Sequence, residues 1–210
     1  MKIAVIDSGI HEGHPHVGRV AGAVHFTADG LGGDSVDHLG HGTAVAAAIR
    51  EKVPTADLFS VKVFDQRLSA NIGSILRALA WCRDERMDLV NLSLGTANPD
   101  HRAPLAEAVL GMMVISAAEM LPGSLPGVVG VLADESCPRD AYRYRDGIFY
   151  ASPYPRPIPG VPTSRNLSGV SFAVANMTGL AAHLPAASIE LLSAASCDPD
   201  SVNALSVNSK

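Results

Sequence analysis

The chain has 210 residues and a mass of 21.8 kDa, and 47% of its residues are hydrophobic, which excludes disordered and low-complexity chains and favours one domain over residues 1–210. Its 16 Lys and Arg against 21 Asp and Glu give a net charge of −5, which argues against a nucleic acid partner, because such binding needs clustered basic side chains. The 3 cysteines, at unrelated spacings, indicate neither a disulfide framework nor a zinc site, and we expect reduced thiols.

The amino-terminal segment favours a cytoplasmic protein. Met1 and Lys2 run directly into the short apolar stretch Ile3 to Ile6, which a polar turn follows. A secretory signal would need a longer apolar region and a small-residue cleavage site, and a membrane span would need about 18 to 20 apolar residues in a row. We therefore expect a cytoplasmic protein with no membrane partner.

Short apolar runs alternate with stretches of helical periodicity, which predicts an α/β fold with a mostly parallel central sheet flanked by helices on both faces. The predicted strands are Lys2 to Ile6, Leu58 to Val63, Leu89 to Leu92, Met112 to Ser116 and Val128 to Val131. The predicted helices are Thr43 to Arg50, Ser69 to Arg86 with Ser69 as its cap, Pro104 to Leu110, Ser171 to Ala182 and Ser188 to Ala195. Tyrosines and six prolines fill residues 134–165, which predicts a surface segment of extended structure and turns rather than a helix or a central strand.

Three segments each place one reactive side chain at the end of a strand or the start of a helix. Asp7 follows the first strand, His41 lies in Gly40-His41-Gly42-Thr43 at the start of a helix, and Ser171 opens a small-residue helix. Function in α/β folds concentrates at these positions. The three side chains supply a nucleophile, a base and a group that orients the base.

The chemistry of nucleophilic catalysis explains why these three residue types belong together. A serine hydroxyl becomes an effective nucleophile when an imidazole takes its proton, and a carboxylate on the other ring nitrogen fixes the tautomer and stabilises the imidazolium. A serine at a helix N-terminus also brings its own backbone N–H close to the developing oxyanion.

With these motifs the sequence resembles the subtilisin-like serine proteases. The segments Asp7-Ser8-Gly9-Ile10, Gly40-His41-Gly42-Thr43 and Gly169-Val170-Ser171-Phe172-Ala173 resemble the family's aspartate, histidine and serine motifs, with valine at 170 where threonine is usual, and they occur in the family's order. The resemblance implies a subtilisin-like fold and a serine endopeptidase with Ser171 as nucleophile, His41 as base and Asp7 as orienting carboxylate.

The resemblance also implies a substrate-binding edge. The stretch that ends in Ser93, Leu94 and Gly95 is similar to the strand that pairs with an extended peptide in the family, by β-augmentation. Ala117 and Ala118 end the strand that, in the family, leads to the oxyanion site. We therefore expect these residues to bind a peptide or protein substrate.

Two positions depart from the family pattern. Glu119 stands where the family has the asparagine that donates to the oxyanion, so Glu119 either donates while protonated or does not donate, and burial beside a second negative charge would raise its pKa. Ala175 and Asn176 replace a proline and a histidine, which we interpret as a structural variation.

The chain is shorter than the family's usual catalytic domain, with no recognisable inhibitory pro-segment and no evident acidic calcium loop. The sequence thus predicts a protease that needs no metal and no cofactor, with no indication of its oligomeric state. Because no export signal is evident, we expect it to process a particular intracellular peptide.

Two other interpretations remain open at this stage. One is a catalytically weak or inactive protease fold that binds peptides through Ser93 to Gly95. The other is a metal-dependent hydrolase, because six of the eight histidines fall in residues 1–41 together with several aspartates. Among these residues, we expect Asp37 and His38 to line the approach to His41 or to be solvated.

Overall fold

The computed structural model describes residues 1–184 and 188–197. Its strands are β1 (Lys2–Asp7), β2 (Gly22–Thr27), β3 (Gly30–Leu31), β4 (Asp57–Lys62), β5 (Leu89–Leu92), β6 (Val114–Ala117), β7 (Val129–Ala133), β8 (Tyr142–Arg145) and β9 (Ile148–Ala151). Its helices are α1 (His41–Lys52), α2 (Ile72–Asp84), α3 (Arg102–Val109), α4 (Val170–Ala181) and α5 (Ile189–Ala194).

All of these strands belong to one sheet, in the order β3-β2-β4-β1-β5-β6-β7-β9-β8. The strands from β2 to β9 in this order pair in parallel, while β3 and β8 pair antiparallel with β2 and β9 at the two edges. The sheet is therefore mostly parallel, as predicted.

The first strand shows why helices cover both faces of the sheet. Successive side chains of a strand point to opposite faces. Ile3 and Val5 pack with the apolar side chains of α1, α4 and α5, whereas Ala4 and Ile6 pack with those of α2 and α3. These four residues of the six in β1 are fully buried, so the strand lies between two apolar layers.

The strand order also positions the site. Strand β1 lies between β4 and β5, so these two strands, both parallel to β1, are placed on opposite sides of it within the sheet. The carboxyl ends of strands at such a switch of direction leave a crevice, and ligands bind there in open α/β sheets. Asp7 ends β1, and Ser93 follows directly after β5 at this crevice.

Residues 134–165 contain extended structure and turns, as predicted, but the prediction was wrong in excluding an internal strand, because β9 of the β-hairpin there pairs with both β7 and β8. Strands β8 and β9 flank Asp146 and Gly147, whose φ angles of 50° and 82° fit the tight turn that joins antiparallel strands. The prolines of the segment lie outside the hairpin. The Asp-Gly pair was therefore the sequence signal for this element.

The start predicted for the second helix was also wrong. Helix α2 begins at Ile72, and Asn71 rather than Ser69 caps it, because the Asn71 side chain accepts a hydrogen bond from the Gly73 N–H at 2.8 Å. Strands β2 and β3 were not predicted either. Strand β3 has only two residues, and β2 is partly exposed and contains a glycine, a histidine and a threonine, so neither shows the continuous apolar run of a central strand.

Candidate active site

Asp7 and His41 form a hydrogen-bonded pair across the ends of β1 and α1. The His41 Nδ1 atom lies 2.7 Å from Asp7 Oδ1, and the same oxygen accepts the Ser8 N–H at 2.7 Å. Asp7 is fully buried, and within the described residues no donor reaches its Oδ2. The Asp7 carboxylate is therefore shielded from water, and the His41 imidazole is one of its main hydrogen-bond partners.

Two glycines of the sequence motifs allow this close approach. A Cβ on Gly42 would collide with the Gly9 carbonyl oxygen and would lie 3.1 Å from Asp7 Cβ. Gly9 itself has a φ of 103°, and a Cβ there would lie 2.6 Å from the Ser35 carbonyl oxygen. The first turn of α1 can thus pack directly on the turn that follows β1.

The surroundings of His41 raise its pKa. Burial alone lowers the pKa of the imidazole, but the hydrogen bond to Asp7 and the negative charges of Asp7 and Asp37 outweigh burial, so the net pKa lies above the ordinary 6.5. The ring also packs against Phe172, with 5.6 Å between ring centroids. The side chain keeps 15% of its surface exposed, so one edge can still reach a substrate.

Ser171 is the second residue of α4, and its helix start is tied to the chain that follows β5. Its hydroxyl donates to the Ser93 carbonyl oxygen at 3.4 Å, and the Ser93 hydroxyl donates to the Ser171 carbonyl oxygen at 3.3 Å. The first N–H groups of a helix have no partner within the helix, so the Ser171 N–H is available to an oxyanion. The Ser171 hydroxyl thus donates its hydrogen bond to Ser93 rather than to His41, and a hydrogen bond of 3.4 Å is weak.

His41 and Ser171 line one cavity of about 420 Å³, which we call the Ser93 cavity. The predicted substrate residues Ser93, Leu94 and Gly95 line it as well. Its remaining wall combines apolar and polar side chains: Phe64, Leu68, Ser69, Ala70, Ile72, Ile75, Thr96 and His101. The cavity therefore brings together the candidate nucleophile, the candidate base and the candidate peptide-binding edge.

The other predicted site residues lie apart from this cavity. Ala117 is buried at the end of β6, the Ala118 N–H is held by the Val131 carbonyl oxygen at 3.0 Å, and neither residue is among those that line the cavity. Glu119 is exposed in the following turn and is not among the residues that line the cavity. Its part in an oxyanion site stays a prediction.

Asp37 is a residue of the site whose importance the sequence analysis missed. It is only 7% exposed, which corrects the expectation of a solvated side chain. Its carboxylate accepts five hydrogen bonds, from the Ser8 hydroxyl, the Leu39 and Gly40 N–H groups, and the N–H and hydroxyl of Thr43, at 2.6 to 3.0 Å. His38, by contrast, is exposed and pairs with Asp34.

This network replaces a missing helix cap. Gly40 is the N-cap residue of α1 and has no side chain, so the first N–H groups of the helix need acceptors from elsewhere. Asp37 accepts the Thr43 N–H, and the Ser8 hydroxyl accepts the Gly42 N–H at 2.9 Å. An acidic residue shortly before a glycine-capped helix start was the available sequence signal.

The histidines of residues 1–41 form no metal-binding group in the described part of the chain. Over residues 1–184 and 188–197, no three or more His, Cys, Asp or Glu side chains form a group that could hold a metal ion. The described part of the chain therefore offers no candidate metal site for the metal-hydrolase interpretation. In the same described ranges, none of the helices is long and apolar enough to cross a membrane.

Asn176 has a structural explanation in the fold. It is fully buried in α4, where its amide nitrogen donates to the carbonyl oxygens of Ser152 and Tyr154 at 2.8 and 2.9 Å. Its side-chain oxygen accepts a hydrogen bond from Lys52 Nζ of α1 at 2.6 Å. Asn176 therefore joins α1, α4 and the chain that follows β9.

The mostly parallel sheet, together with an Asp–His pair and a serine around one cavity, places the chain in the class of α/β proteins with a candidate serine-hydrolase site. Within that class, a model of the subtilase family (peptidase S8) matches residues 1–125, more than half of the chain. The chain belongs to the subtilase family. The matched residues include Asp7 and His41 and end before Ser171.

Comparisons with individual proteins agree with this assignment. The chain is 29% identical to the thermostable alkaline protease of Halalkalibacterium halodurans over 86% of its own length and 55% of that protein. It is 33% identical to subtilisin E of Bacillus subtilis over 59% of its length and 35% of that protein. It is 31% identical to an intracellular serine protease of Paenibacillus polymyxa over 52% of its length and 36% of that protein. The chain thus spans about half of the first of these relatives and about a third of the other two.

The fold has a close counterpart among solved structures. The crystal structure of a cold-adapted subtilisin-like serine proteinase superposes with a TM-score of 0.68 at 21% identity, over 91% of this chain and 79% of that chain. This likeness confirms the predicted α/β, subtilisin-like fold.

Proposed function

We propose that this protein is a serine endopeptidase that hydrolyses peptide bonds through Asp7, His41 and Ser171. The observation that carries the proposal is the 2.7 Å contact between His41 Nδ1 and Asp7 Oδ1, at the wall of the same cavity that Ser171 lines. Because Asp7 engages Nδ1, the other ring nitrogen is the one left to act on the Ser171 hydroxyl.

In the proposed reaction, the Ser171 oxygen attacks the substrate carbonyl carbon while His41 takes the hydroxyl proton. The Ser171 N–H stabilises the negative charge on the carbonyl oxygen. His41 then gives the proton to the leaving nitrogen, the C–N bond breaks and an acyl-enzyme forms. Water, activated by His41, releases the acyl group and restores the serine.

The Ser171 hydroxyl must leave the Ser93 carbonyl oxygen for this reaction to start. The hydroxyl is free to do so, since a bond of 3.4 Å contributes little and rotation about one side-chain bond redirects the oxygen. A substrate that pairs with Ser93 to Gly95 would compete for the same carbonyl oxygen. Substrate binding is therefore expected to favour the reactive position of Ser171.

A fluorophosphonate probe tests the proposal, because it labels a serine that a neighbouring base has activated. We expect covalent labelling of the chain, a more than 100-fold slower reaction in His41→Ala, and no labelling in Ser171→Ala. Ser168→Ala serves as the matched control, since it changes an exposed serine of the same segment. Labelling that persists in Ser171→Ala would contradict the assignment, and loss of activity with a chelator would revive the metal hypothesis.

The second candidate function is a peptide-binding protein that does not cleave. The observation that favours it is the hydrogen bond of the Ser171 hydroxyl to Ser93 in place of His41. This alternative predicts no labelling between pH 5 and 10, together with measurable binding of extended peptides. The two functions are thus separated by one labelling experiment and one binding measurement.

We further propose that the protein processes a particular peptide inside the cell and does not digest bulk protein. The name of the Paenibacillus polymyxa relative supports an intracellular role, while that of another relative, the minor extracellular protease Epr of Bacillus subtilis, describes the opposite location. Fractionation of the source cells tests the location. Rapid degradation of unfolded casein would contradict the processing role.

A further inference from the structure

A second cavity, of about 570 Å³, lies beside the candidate active site and has no part in the proposed reaction. We call it the histidine cavity, because His11, His14 and His16 line it. Gly40, directly before His41, also lines it, as does Leu167, which lies shortly before Ser171. The histidine cavity and the Ser93 cavity share no lining residue, and His41 and Ser171 line only the second of these two.

The wall of the histidine cavity is largely apolar. It is formed by Pro15, Ala44, Ala47, Pro155, Ile158 and Leu167. Ile158 and Leu167 are 45% and 52% exposed, although both are large hydrophobic side chains. Exposed apolar side chains that line one concave surface are typical of a binding site.

The polar groups of the histidine cavity favour an anion. Arg156 contributes a permanent positive charge, and its Nη1 donates to the His16 carbonyl oxygen at 2.9 Å. Burial and then the charge of Arg156 lower the pKa of His16. The one carboxylate in the wall, that of Asp37, already accepts five hydrogen bonds from the protein. Because the pKa of His16 is lowered, its imidazole contributes an N–H donor rather than a charge, and the positive charge of the wall comes from Arg156.

The position of the cavity identifies the part of a substrate that would enter it. If residues before the scissile bond pair with Ser93 to Gly95, the chain beyond Ser171 continues away from the Ser93 cavity. Gly40 and Leu167, which line the histidine cavity, lie shortly before His41 and Ser171 in the chain, so this cavity is the candidate for that part of the substrate.

We propose that the histidine cavity binds the leaving side of the peptide substrate and selects an apolar residue accompanied by a carboxylate. The apolar side chain packs against Leu167 and Ile158, and the carboxylate accepts hydrogen bonds from Arg156 and the neighbouring imidazoles. This inference rests on the proposed peptidase function. The carboxylate belongs either to an acidic side chain or to the carboxyl terminus of the substrate.

Four synthetic substrates with the same residues before the scissile bond separate these cases. Two internally quenched peptides continue with Leu-Glu-amide or Leu-Gln-amide, a third ends in Leu with a free carboxylate, and an aminomethylcoumarin conjugate has no peptide on the leaving side. We expect kcat/KM for the Glu peptide to exceed that for the Gln peptide by about 10-fold, because one charged hydrogen bond distinguishes them. If the free-acid peptide alone is favoured, the terminal carboxylate is the ligand.

The Arg156→Gln variant tests the residue that supplies the charge. We expect the ratio of kcat/KM for the carboxylate peptide over its neutral partner to fall to about 1, and a general loss of folding or activity cancels in this ratio. Arg86→Gln is the matched control, since Arg86 is exposed just before β5, at the opposite end of the strands. It should keep the 10-fold ratio. Equal kcat/KM for the Glu, Gln and free-acid peptides in the unaltered protein, or an unchanged carboxylate preference in Arg156→Gln, would overturn the proposal.

Failure of the proposed function gives a different pattern. In that case neither the coumarin conjugate nor any peptide is cleaved, and the Leu-Glu and Leu-Gln product peptides are instead measured for binding by fluorescence anisotropy. A roughly 10-fold tighter binding of the Glu peptide that is lost in Arg156→Gln would support the cavity without catalysis. Equal binding of the two peptides would overturn it.

Discussion

Asp37 and Thr43 are joined by two hydrogen bonds, since one carboxylate oxygen of Asp37 accepts both the N–H of Thr43 at 2.9 Å and its hydroxyl at 2.6 Å. The other oxygen accepts the Ser8 hydroxyl at 2.8 Å. Ser8 follows Asp7, and Thr43 lies in the same helical turn as His41. Asp37 therefore fixes the helix start that carries the candidate base against the turn that carries its partner carboxylate.

The first prediction concerns this positioning residue. In Asp37→Asn one acceptor oxygen becomes a donor that faces other donors, so we expect the free energy of unfolding to fall by about 2 to 3 kcal/mol. We expect kcat to fall more than KM changes, because Asp37 holds the helix start that carries His41, and His41 loses its alignment in this variant. Denaturant unfolding and steady-state kinetics on one preparation measure both effects.

Asp29→Asn is the control for Asp37→Asn, because Asp29 is an exposed aspartate in the turn between β2 and β3. It should change the free energy of unfolding by less than about 1 kcal/mol. The acid limb of the pH–rate curve gives a further readout, since loss of the Asp37 charge lowers the pKa of His41. A folded Asp37→Asn protein with unchanged kcat and unchanged acid limb would contradict the positioning role.

The second prediction concerns the pH dependence of activity. The proposed base acts in its neutral form, and the pKa of His41 is raised above 6.5, so kcat/KM should rise with pH through a midpoint above 6.5. In Asp7→Asn the imidazole loses the hydrogen bond and the charge that raise its pKa. We expect the midpoint to move to lower pH and kcat to drop by about 10⁴-fold. An acid limb unaffected by Asp7→Asn would show that another group titrates.

The third prediction concerns the departure at position 119. A neutral amide can donate to an oxyanion, whereas an ionised carboxylate repels it, so Glu119→Asn should raise kcat by up to about 10²-fold. Glu135→Asn, which changes another exposed glutamate in a turn, should leave kcat unaltered. If the pH–rate curves of Glu119→Asn and the unaltered protein coincide, Glu119 has no part in the oxyanion site.

The fourth prediction concerns the buried contact between Lys52 and Asn176. The Lys52 side chain is 8% exposed, and its Nζ donates to Asn176 Oδ1 at 2.6 Å. Removing the Asn176 amide leaves Lys52 Nζ with a bond of 3.4 Å to the Ala48 carbonyl oxygen and a contact of 3.8 Å with Glu51, and it also removes the two bonds to Ser152 and Tyr154. Asn176→Ala should therefore lower the free energy of unfolding by about 3 kcal/mol. Asn98→Ala, at an exposed site, is the control and should cost about 1 kcal/mol or less, because it removes only the cap of a short helical turn.

The stability contributed at Lys52 should also depend on pH. Burial, followed by the charge of Arg139, lowers the pKa of Lys52 from 10.5 to about 8. Between these values the unfolded chain binds more protons than the folded chain, so stability rises with pH, by about 3 kcal/mol at most. Unfolding of the protein and of Lys52→Met at pH 7 and 10.5 measures the difference. If the free energy of unfolding depends on pH equally in both proteins, Lys52 is not a buried lysine with a lowered pKa.

The sequence by itself determined the elements whose information is local. Apolar runs predicted the central strands, and the short motifs around Asp7 and His41 predicted a carboxylate at a strand end and an imidazole at a helix start, which the structure joins at 2.7 Å. The hairpin turn at Asp146 and Gly147 also had a local signal, which the density of prolines around it obscured.

Only the tertiary structure decided which polar side chains are buried and which are exposed. Asp37 is buried because Ser8 and Thr43, from two separate segments, supply donors to its carboxylate. Glu119, by contrast, is exposed in the turn that follows β6. The histidine cavity likewise forms where residues 11–16, 37–47 and 155–167 meet. Burial and charge at a site depend on contacts between segments distant in the chain, and neither residue type nor spacing specifies those contacts.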